Sequence, residues 1–406
     1  MNQSVVIIIG AGAAGMAAAI TAASLGDSVV LLEAQSRPGR KLLATGNGRC
    51  NLMNLGKPVY YGDRAFAEKV LQNCGPQEIL RFWDHLGLKV RCEENRVYPC
   101  TFQASTVLDV LLASLRKLQA ELMINQRVHS IRKEKASFTV VTESGRQFQA
   151  TRVIVTAGSP AQPKLGGSSD GLSILAGMGH AIESPRPALT PLLTEKKAIS
   201  GLSGIRAKCE IRMITDGVEV HRERGELLFT EEGISGICVM QCARFIEPGR
   251  STAVLNWVPD LFASRDDILS FLRHQQAEEP EGEPPSLLRG ILAPRLAWAV
   301  CRQAGLRMRG EQNAALTDPQ LLGIAHSLTH YRIAVTGCCG TDRAQVCAGG
   351  ALCRDFDPST MESALSPGLF AAGEVLNVDG DCGGYNLMFA WSSGILAGRN
   401  GRPMPC

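Results

Sequence analysis

A glycine-rich turn near the amino terminus has the residue types needed to bind a dinucleotide. Three glycines follow an apolar run in the order G-x-G-x-x-G, and an acid closes the next apolar run. The first glycine permits a tight turn, the second lets the backbone approach a pyrophosphate, and the third lets helix and strand pack closely. The acid can accept hydrogen bonds from a ribose 2′-hydroxyl. The residues predicted to bind FAD or NAD at this turn are Gly10, Gly12, Ala13, Ala14, Gly15 and Glu33.

A second stretch, "ATGNGRCNLMN", runs from Ala44 to Asn54 and has no hydrophobic period. Its glycines, small polar side chains and single arginine are not typical of a segment selected for packing. Arg40 and Lys41 precede it and are well placed to meet phosphate oxygens. The alternative for this basic pair is a turn that faces solvent.

The carboxyl-terminal stretch Gly368–Arg399 repeats the order strand, glycine loop and helix without the G-x-G-x-x-G spacing. The helix is predicted to begin at Tyr385 or Asn386. The positive end of a helix dipole stabilises the negative charge that develops on a flavin ring during reduction. Glu374 is expected to hydrogen-bond the ribityl or pyrophosphate region. Because ligands bind at the carboxyl ends of parallel strands, both ends of the chain are predicted to form one site.

Strands and helices must hold these turns in place. An alanine-rich helix is predicted to run to about Leu25, and "QASTVLDVLLASLRKLQAEL" predicts an amphipathic helix. Three strands are predicted at about residues 125–132, 137–142 and 147–155, the last two joined as a hairpin. The third strand leads to Ala157 and Gly158, where small residues let the chain pass close to a cofactor.

Length and composition restrict the class of protein. A chain of 406 residues with 45% hydrophobic residues predicts two or three globular domains. The formal charge of +3 is too small to predict nucleic-acid binding. The uncharged start lacks the basic residues of a signal peptide and is broken by glycines, so neither export nor a membrane span is predicted and the protein is expected to be cytoplasmic. The 14 cysteines have neither C-x-x-C nor zinc spacing, which predicts reduced thiols and no metal site.

Several motifs together resemble the BaiN/YhiN-type flavoprotein family of NAD(P)/FAD-dependent oxidoreductases, which includes aminoacetone oxidase-like proteins. They are "GRKLLATGNGRCNLMN", "NRVYPCTFQAS", "GELLFTEEGISG", "AGGALCRDFDPSTMES" and "GEVLNVDGDCGGYNLMFAWSSGILAG". The resemblance covers nearly the whole chain. It implies an α/β fold with a Rossmann-like, glutathione-reductase-like FAD-binding domain in two parts, interrupted by an inserted β-barrel with a small helical subdomain.

The resemblance also implies domain boundaries and site residues. The FAD-binding domain would comprise residues 1–190 and 337–406, and the insert residues 191–336, with the barrel at 191–258 and 311–336 and the helical subdomain at 259–310. The insert would form a substrate pocket. Further residues expected at FAD are Thr45, Gly46, Asn47 and Gly48 along the flavin, Val128 at the adenine, and Ala157, Gly158, Gly373, Glu374, Gly384, Tyr385, Asn386 and Leu387. Arg49 and Asn51 would brace the loop or face the substrate, and the alternative is that they only satisfy backbone carbonyls.

The predicted function is hydride transfer between flavin N5 and a small organic substrate. The first hypothesis is NAD(P)H-linked reduction of an activated C=C bond, with NAD(P)H docking transiently because no second G-x-G-x-x-G is present. Tyr385 is then the candidate acid. A second hypothesis is an amine oxidase of the aminoacetone oxidase type, and a third, of another class, is a non-enzymatic flavin-binding or RNA-associated protein. Cys50 and Cys382 are a candidate redox pair. The sequence identifies neither the substrate nor the oligomeric state.

Overall fold

The computed structural model describes residues 5–135, 137–306 and 310–403. Its strands are β1 Val5–Ile9, β2 Ser28–Leu32, β3 Met53–Asn54, β4 Tyr60–Gly62, β5 Val90–Glu93, β6 Arg96–Pro99, β7 Glu121–Met123, β8 Val128–Glu134, β9 Ser137–Thr142, β10 Gln147–Ala150, β11 Arg152–Val155, β12 Ile182–Ala188, β13 Leu192–Thr194, β14 Arg206–Thr215, β15 Val218–Phe229, β16 Gly233–Ser235, β17 Ser251–Asn256, β18 Tyr331–Cys338, β19 Val346–Ala351, β20 Leu369–Ala371 and β21 Val378–Gly380. Its helices are α1 Ala13–Ser24, α2 Arg40–Ala44, α3 Arg64–Asn73, α4 Pro76–His85, α5 Ala104–Lys117, α6 Asp170–Gly177, α7 Ile237–Gln241, α8 Arg265–Glu278, α9 Pro294–Gln303, α10 Asp318–Thr329 and α11 Tyr385–Arg399.

The first compact unit comprises residues 1–186 and 344–406. Its central sheet has the strand order β20-β11-β1-β2-β7, and all four pairings are parallel. The middle strand β1 is an unbroken apolar run, as expected for a strand that is covered on both faces. The predicted Rossmann-like architecture is confirmed, and it places the ends of β1, β2, β11 and β20 at one edge of the sheet.

Two elements of this unit differ from their predictions. The helix expected to continue to residue 122 ends at Lys117, because Gln119 takes a left-handed φ of 56°, and the chain then forms β7. The strand expected over residues 147–155 is two strands separated by Thr151. The first, β10, belongs to the antiparallel sheet β10-β9-β8, and the second, β11, to the central sheet.

Two smaller sheets carry the loops of the candidate site. Strand β3 pairs with β6, and β6 pairs with β5, in an antiparallel sheet with the order β3-β6-β5. Strand β4 pairs with β21, so that residues near position 61 lie beside residues near position 379. The β4–β21 pairing joins segments from the two sequence halves of the unit.

The second compact unit comprises residues 187–343 and contains a closed barrel with the strand order β13-β16-β15-β14-β17-β18. The barrel predicted for the insert is therefore present. Helix α10 lies in the segment assigned to the barrel, and β18 continues to Cys338 beyond the expected boundary at residue 336. Helix α9 begins at Pro294, because a proline in the first helical turn has no N–H that needs a hydrogen-bond partner.

No helix in the described ranges combines the length and the apolar character needed to cross a membrane. Among the same residues, no group of three or more His, Cys, Asp or Glu side chains is arranged to hold a metal ion.

Candidate functional site

The turn between β1 and α1 is closed by packing on two sides and open on one. A Cβ atom added to Gly15 would lie 1.9 Å from the Gly10 carbonyl oxygen, and one added to Gly10 would lie 2.7 Å from the Thr156 oxygen. A Cβ added to Gly12 would meet no atom within 4 Å. Gly10 also has a φ of 102°, which strains any other residue. The turn therefore has open space only where the motif places a pyrophosphate.

Glu33 is held at the end of β2 by two backbone groups. The Ala11 N–H donates to one carboxylate oxygen at 2.8 Å, and the Gln35 N–H donates to the other at 2.7 Å. Each oxygen keeps further acceptor capacity for ribose hydroxyls. Helix α1 has no side-chain cap and no acid in its first turn, so its N-terminal N–H groups can bind an anion.

Lys41 and Glu374, which are 333 residues apart in sequence, form an ion pair at 2.5 Å. The Ser159 hydroxyl donates to the same Glu374 oxygen at 3.2 Å. A Cβ added to Gly158 would lie 3.8 Å from that oxygen, so the segment after β11 also borders the pair. The structure thus brings together Lys41, Gly158 and Glu374, as expected for parts of one site.

Arg40 does not extend freely toward this group. Its guanidinium donates to the Gln35 side-chain oxygen at 2.9 Å and to the Lys164 carbonyl at 2.7 Å. These bonds tie the turn after β2 to the segment after β11. The role of Arg40 as a phosphate ligand stays a prediction.

The loop Thr45–Gly48 is a tight turn that exposes its backbone. Gly46, Asn47 and Gly48 have left-handed φ values of 57°, 53° and 83°, and Cys50 has 56°. The Thr45 hydroxyl donates back to the Leu42 carbonyl at 2.7 Å, which fixes the start of the turn. The wound backbone leaves the loop residues at the surface, where they are able to contact a ligand.

Asn51 carries an unusual buried acceptor. Its side chain is 8% exposed, and in the described part of the chain its Oδ1 has no hydrogen-bond partner. A Cβ added to Gly384 would lie 2.8 Å from this oxygen, so Oδ1 faces the start of α11. Leaving such an acceptor unpaired is costly, which favours a ligand that donates a hydrogen bond there.

Side chains from several segments brace the loop before α11. The Asn386 amide accepts from the Gly380 N–H and donates to the Gly380 carbonyl, both at 2.8 Å. The Asn54 amide donates to the Gly383 carbonyl at 2.9 Å. Leu387 is half-buried and packs against the core. The Asn386 side chain therefore holds the loop, and the α11 N-terminus, which has no side-chain cap, is left available.

Tyr385 begins α11 and is the candidate proton donor. The Tyr60 hydroxyl donates to its backbone carbonyl at 2.9 Å. A Cβ added to Gly56 would lie 3.3 Å from the Tyr385 hydroxyl oxygen, so the phenol reaches the loop after β3. Burial, and secondly the Asp381 carboxylate, raise the pKa of Tyr385 above its usual value. The phenol is therefore protonated at neutral pH, as a proton donor must be.

Close helix packing puts the two glycine turns side by side. A Cβ added to Gly394 of α11 would lie 2.4 Å from the Ala14 carbonyl, and one added to Gly373 would lie 2.9 Å from the Ala14 Cβ. Gly394 lets helices α1 and α11 approach closely, and Gly373 lets the turn after β20 lie against the start of α1. Val128, the expected adenine contact, is buried at the start of β8. The open Gly12, the fixed Glu33 carboxylate and the unpaired Asn51 acceptor fit the pyrophosphate, ribose and ring of FAD.

The cysteines do not support a redox pair at this site. Every cysteine in the described ranges is a free thiol, Cys50 and Cys382 included. Burial raises the pKa of Cys50 to about 12 and also raises the pKa of Cys382. Because the thiolate is the reactive form, neither thiol is activated for exchange with a flavin.

Sequence reasoning missed three residues beside the site, namely Arg91, Arg96 and Phe102. Arg49 and Arg91 both lie over the Phe102 ring, with Cζ 5.8 Å and 5.0 Å from its centroid. The alternation in "VRCEENRVYP" predicts a hairpin that would put Arg91 and Arg96 on one face. The contact with Arg49 depends on tertiary structure and leaves no local signal.

The fold and the two turns define a Rossmann-type dinucleotide-binding protein. The chain matches the family described as HI0933-like protein Rossmann domain over residues 4–400. It is 33% identical to the 3-dehydro-bile acid delta(4,6)-reductase of Clostridium scindens, over 98% of this chain and 99% of the relative. It is 30% identical to the ribosomal RNA dihydrouridine synthase of Escherichia coli, over 97% and 96%. The chain belongs to the HI0933-like family, and it is a flavin-dependent oxidoreductase whose cofactor is FAD.

Solved structures with a similar fold are more distant. A flavocytochrome c3 fumarate reductase in its open conformation has a TM-score of 0.48 and 16% identity, over 98% of this chain and 78% of that chain. The 3-ketosteroid-delta4-(5alpha)-dehydrogenase of Rhodococcus jostii RHA1 has a TM-score of 0.48 and 15% identity, over 98% and 95%. At this level of similarity neither one contributes to the assignment of activity.

Proposed function

We propose that this protein reduces a C=C bond conjugated to a carbonyl group in a small organic molecule, with NAD(P)H as the electron donor. The observation that carries the proposal is the similarity, over essentially the full length of both chains, to a reductase of delta(4,6) 3-dehydro-bile acids. A carbonyl conjugated to a double bond withdraws electrons, so the distant carbon accepts hydride and the near carbon then takes a proton. A small number of protein groups suffices for such a reaction.

The described residues supply these groups. FAD held at this site and reduced by NAD(P)H would supply the hydride for the distant carbon. Tyr385 is the candidate donor of the proton to the near carbon, because its raised pKa keeps it protonated and its hydroxyl lies at the loop after β3. Asn51 would orient the flavin ring through its unpaired Oδ1. Glu33 and the Gly12 turn would hold the ribose and pyrophosphate. The turn before α1 would therefore bind the cofactor, and the turn before α11 would take part in the reaction.

The test follows the flavin directly. Purified protein loaded with FAD is mixed anaerobically with NADH or NADPH, and the flavin band near ~450 nm is recorded before and after addition of 3-oxo-4-cholenoic acid methyl ester. We expect the band to bleach within seconds and to return when the enone is added. A band that persists with both nucleotides contradicts NAD(P)H as the donor. A bleached band that no enone restores contradicts the proposed substrate class, and small amines are then tested.

A second substrate is favoured by the similarity to ribosomal RNA dihydrouridine synthase. The C5=C6 bond of uridine is conjugated to a ring carbonyl, so its reduction is the same chemistry on a different molecule. An unmodified ribosomal RNA transcript, tested under the same conditions, distinguishes the two substrates. Reoxidation of the reduced flavin by the RNA, with dihydrouridine formed in equal amount, would favour this second candidate.

A further inference from the structure

One face of the sheet β3-β6-β5 carries an unusual set of side chains. In the register of this sheet Arg91 lies opposite Tyr98, Glu93 lies opposite Arg96, and Asn54 lies on the other side of Arg96. Because side chains alternate along a strand, these five residues share a face. Val97, on the opposite face, is buried. The face with the arginines is therefore the outer one, and through Asn54 it adjoins the loop before α11.

Phe102 gathers two guanidinium groups at the edge of this face. Its ring lies 5.4 Å from the Tyr98 ring, centroid to centroid, and 5.0 Å and 5.8 Å from the Cζ atoms of Arg91 and Arg49. Aromatic faces attract guanidinium groups at such distances. Arg49 belongs to the candidate flavin loop, whereas Arg91 belongs to the hairpin, so Phe102 links the two.

Arg96 supplies a third guanidinium group, beside the loop before α11. A Cβ added to Gly383 would lie 3.8 Å from the Arg96 Nε. Burial raises the pKa of both Tyr385 and Cys382, and Arg96 opposes that rise in each case. Arg96 is thus close enough to both side chains to act on them electrostatically. We call Arg49, Arg91, Arg96 and Phe102 the arginine platform.

Protein carboxylates balance the charge of the platform arginines only in part. Among the described residues, none of the three forms an ion pair, whereas Arg127 and Arg152 of the same unit pair with Asp170 and Asp27. Like charges gathered in one place repel each other, so such a cluster favours binding of an anion. Two acids lie in the neighbouring segments: Glu93, opposite Arg96 on the same face, and Asp381, which accepts from the Tyr61 hydroxyl.

We infer that the arginine platform is a subsite for the acidic group of a small-molecule substrate that is reduced at the flavin. This inference rests on the proposed function and specifies its substrate class as acids with a conjugated C=C bond. Guanidinium groups bind carboxylates through paired hydrogen bonds, and an aromatic ring holds the guanidinium plane in place. Leu55, which is 44% exposed and follows Asn54, supplies an apolar contact for the body of such a molecule.

A nucleic acid suits this surface less well than a small acid. The tip of the hairpin carries two exposed carboxylates, Glu93 and Glu94, directly beside the arginines. A phosphate chain that extended past the platform would meet this negative charge, whereas a single acidic group would not. Recognition of a polyanion also uses a continuous basic surface, which the hairpin tip interrupts.

The experiment compares two probes that differ only in charge: 3-oxo-4-cholenoic acid and its methyl ester. Each is titrated into FAD-loaded protein, and binding is measured from the change in the visible flavin spectrum without turnover. KM and kcat for both probes are then measured with NAD(P)H. The variants are R91Q, R96Q and R49Q, with FAD content verified for R49Q because Arg49 lies in the candidate flavin loop. The matched control is R146Q, because Arg146 also lies over a phenylalanine ring, that of Phe148, at 5.2 Å.

We expect the acid to bind the parent protein about tenfold more tightly than the ester, because a charge-assisted hydrogen bond contributes about that factor. R91Q should remove most of this preference through KM with kcat nearly unchanged. R96Q should remove it as well, with a change in kcat allowed because Arg96 also acts on Tyr385, and R146Q should keep the preference. The preference should also shrink at high ionic strength, since Arg49 and Arg91 are exposed.

Equal affinity of the parent for acid and ester, or equal loss in R91Q and R146Q, overturns the subsite even if both probes are reduced. Competition by a ribosomal RNA transcript, lost in the same variants and steeply dependent on salt, also overturns it and assigns the surface to nucleic acid. Arginine-dependent binding of the acid without reduction of either probe supports the subsite and contradicts the proposed function. The two proposals can therefore fail separately.

Discussion

The two glycine turns, one before α1 and one before α11, are built in different ways. The first is shaped by backbone packing: atoms added to Gly10 or Gly15 would collide with main-chain oxygens. The second is shaped by side chains, with Asn386 and Asn54 bonded to the loop at 2.8–2.9 Å. Beside the second turn lie the protonated Tyr385 phenol and the unpaired Asn51 acceptor. From this difference we propose that the first turn binds the cofactor and that the second acts on the flavin ring and substrate.

The largest expected effect comes from Gly15→Val in the first turn. The added Cβ would lie 1.9 Å from the Gly10 carbonyl oxygen, and neither backbone segment can move without disturbing β1 or α1. We expect a loss of about 3 kcal/mol or more in the free energy of unfolding and no retained FAD. Thermal unfolding and the flavin absorbance of the purified protein measure both effects.

Gly12→Ala is the matched control for this first turn. A Cβ at Gly12 meets no protein atom within 4 Å, so the variant should unfold at the parent temperature. Its methyl group would occupy the approach of the pyrophosphate, and FAD affinity should fall by about tenfold or more. If Gly12→Ala unfolds as readily as Gly15→Val, the division between packing and binding within this turn is incorrect.

The first turn could be predicted from the sequence because its constraints are local. The order of three glycines and one acid fixes a strand, a turn and a helix within about thirty residues. The second turn has no such spacing, and the partners that brace it, such as Asn54 and Tyr60, are more than 300 residues away in sequence. The contact of Arg49 with Phe102 and the ion pair of Lys41 with Glu374 could not be predicted either, because the partners are distant in sequence.

The predicted ends of helices and strands were wrong where a local sequence pattern continued past the point at which the chain pairs with a neighbouring strand. The apolar period of α5 runs on to residue 122, but β2 offers a free edge, and Glu121–Met123 joins it as a parallel strand. The strand-like run at residues 147–155 divides at Thr151, whose N–H donates to the Val5 carbonyl. No propensity marks either change, because each depends on a neighbouring strand.

The next largest effect is expected from Tyr385→Phe in the second turn. Removing a positioned proton donor lowers kcat by about 10²- to 10⁴-fold. The phenol is competent while protonated, and its pKa is raised above the ordinary value near 10, so parent activity should stay level from about pH 7 to 9 and fall only in more alkaline solution. Steady-state rates across this range test both statements.

The control for Tyr385→Phe is its FAD content. The Tyr60 hydroxyl donates to the backbone carbonyl of residue 385, at the start of α11. The substitution leaves this bond in place, so the cofactor should be retained. A variant with full FAD content and parent activity would show that the proton comes from another group. The functional difference between the two turns would then rest on Asn51 alone.

A smaller effect is expected from Asn386→Ala, which removes the amide that bridges Gly380. Two hydrogen bonds of 2.8 Å are lost, and the free energy of unfolding should decrease by about 1–2 kcal/mol. Asn73→Ala is a matched control, since its amide bonds two carbonyls at the exposed end of α3 and should change stability by less than about 0.5 kcal/mol. Equal changes in the two variants, measured by urea unfolding, would show that side chains do not determine the second turn.

The smallest effect is expected from Glu33→Gln, which separates a loss of FAD binding from a loss of catalysis. The amide keeps one acceptor oxygen but loses the charge and one of the two bonds from the Ala11 and Gln35 N–H groups. FAD affinity should fall about five- to tenfold. If the first turn only binds the cofactor, as proposed, excess FAD should restore kcat to the parent value, whereas no concentration of FAD should restore Tyr385→Phe. If kcat of Glu33→Gln stays low at saturating FAD, the first turn also influences the reaction, because a loss confined to binding disappears when the site is filled.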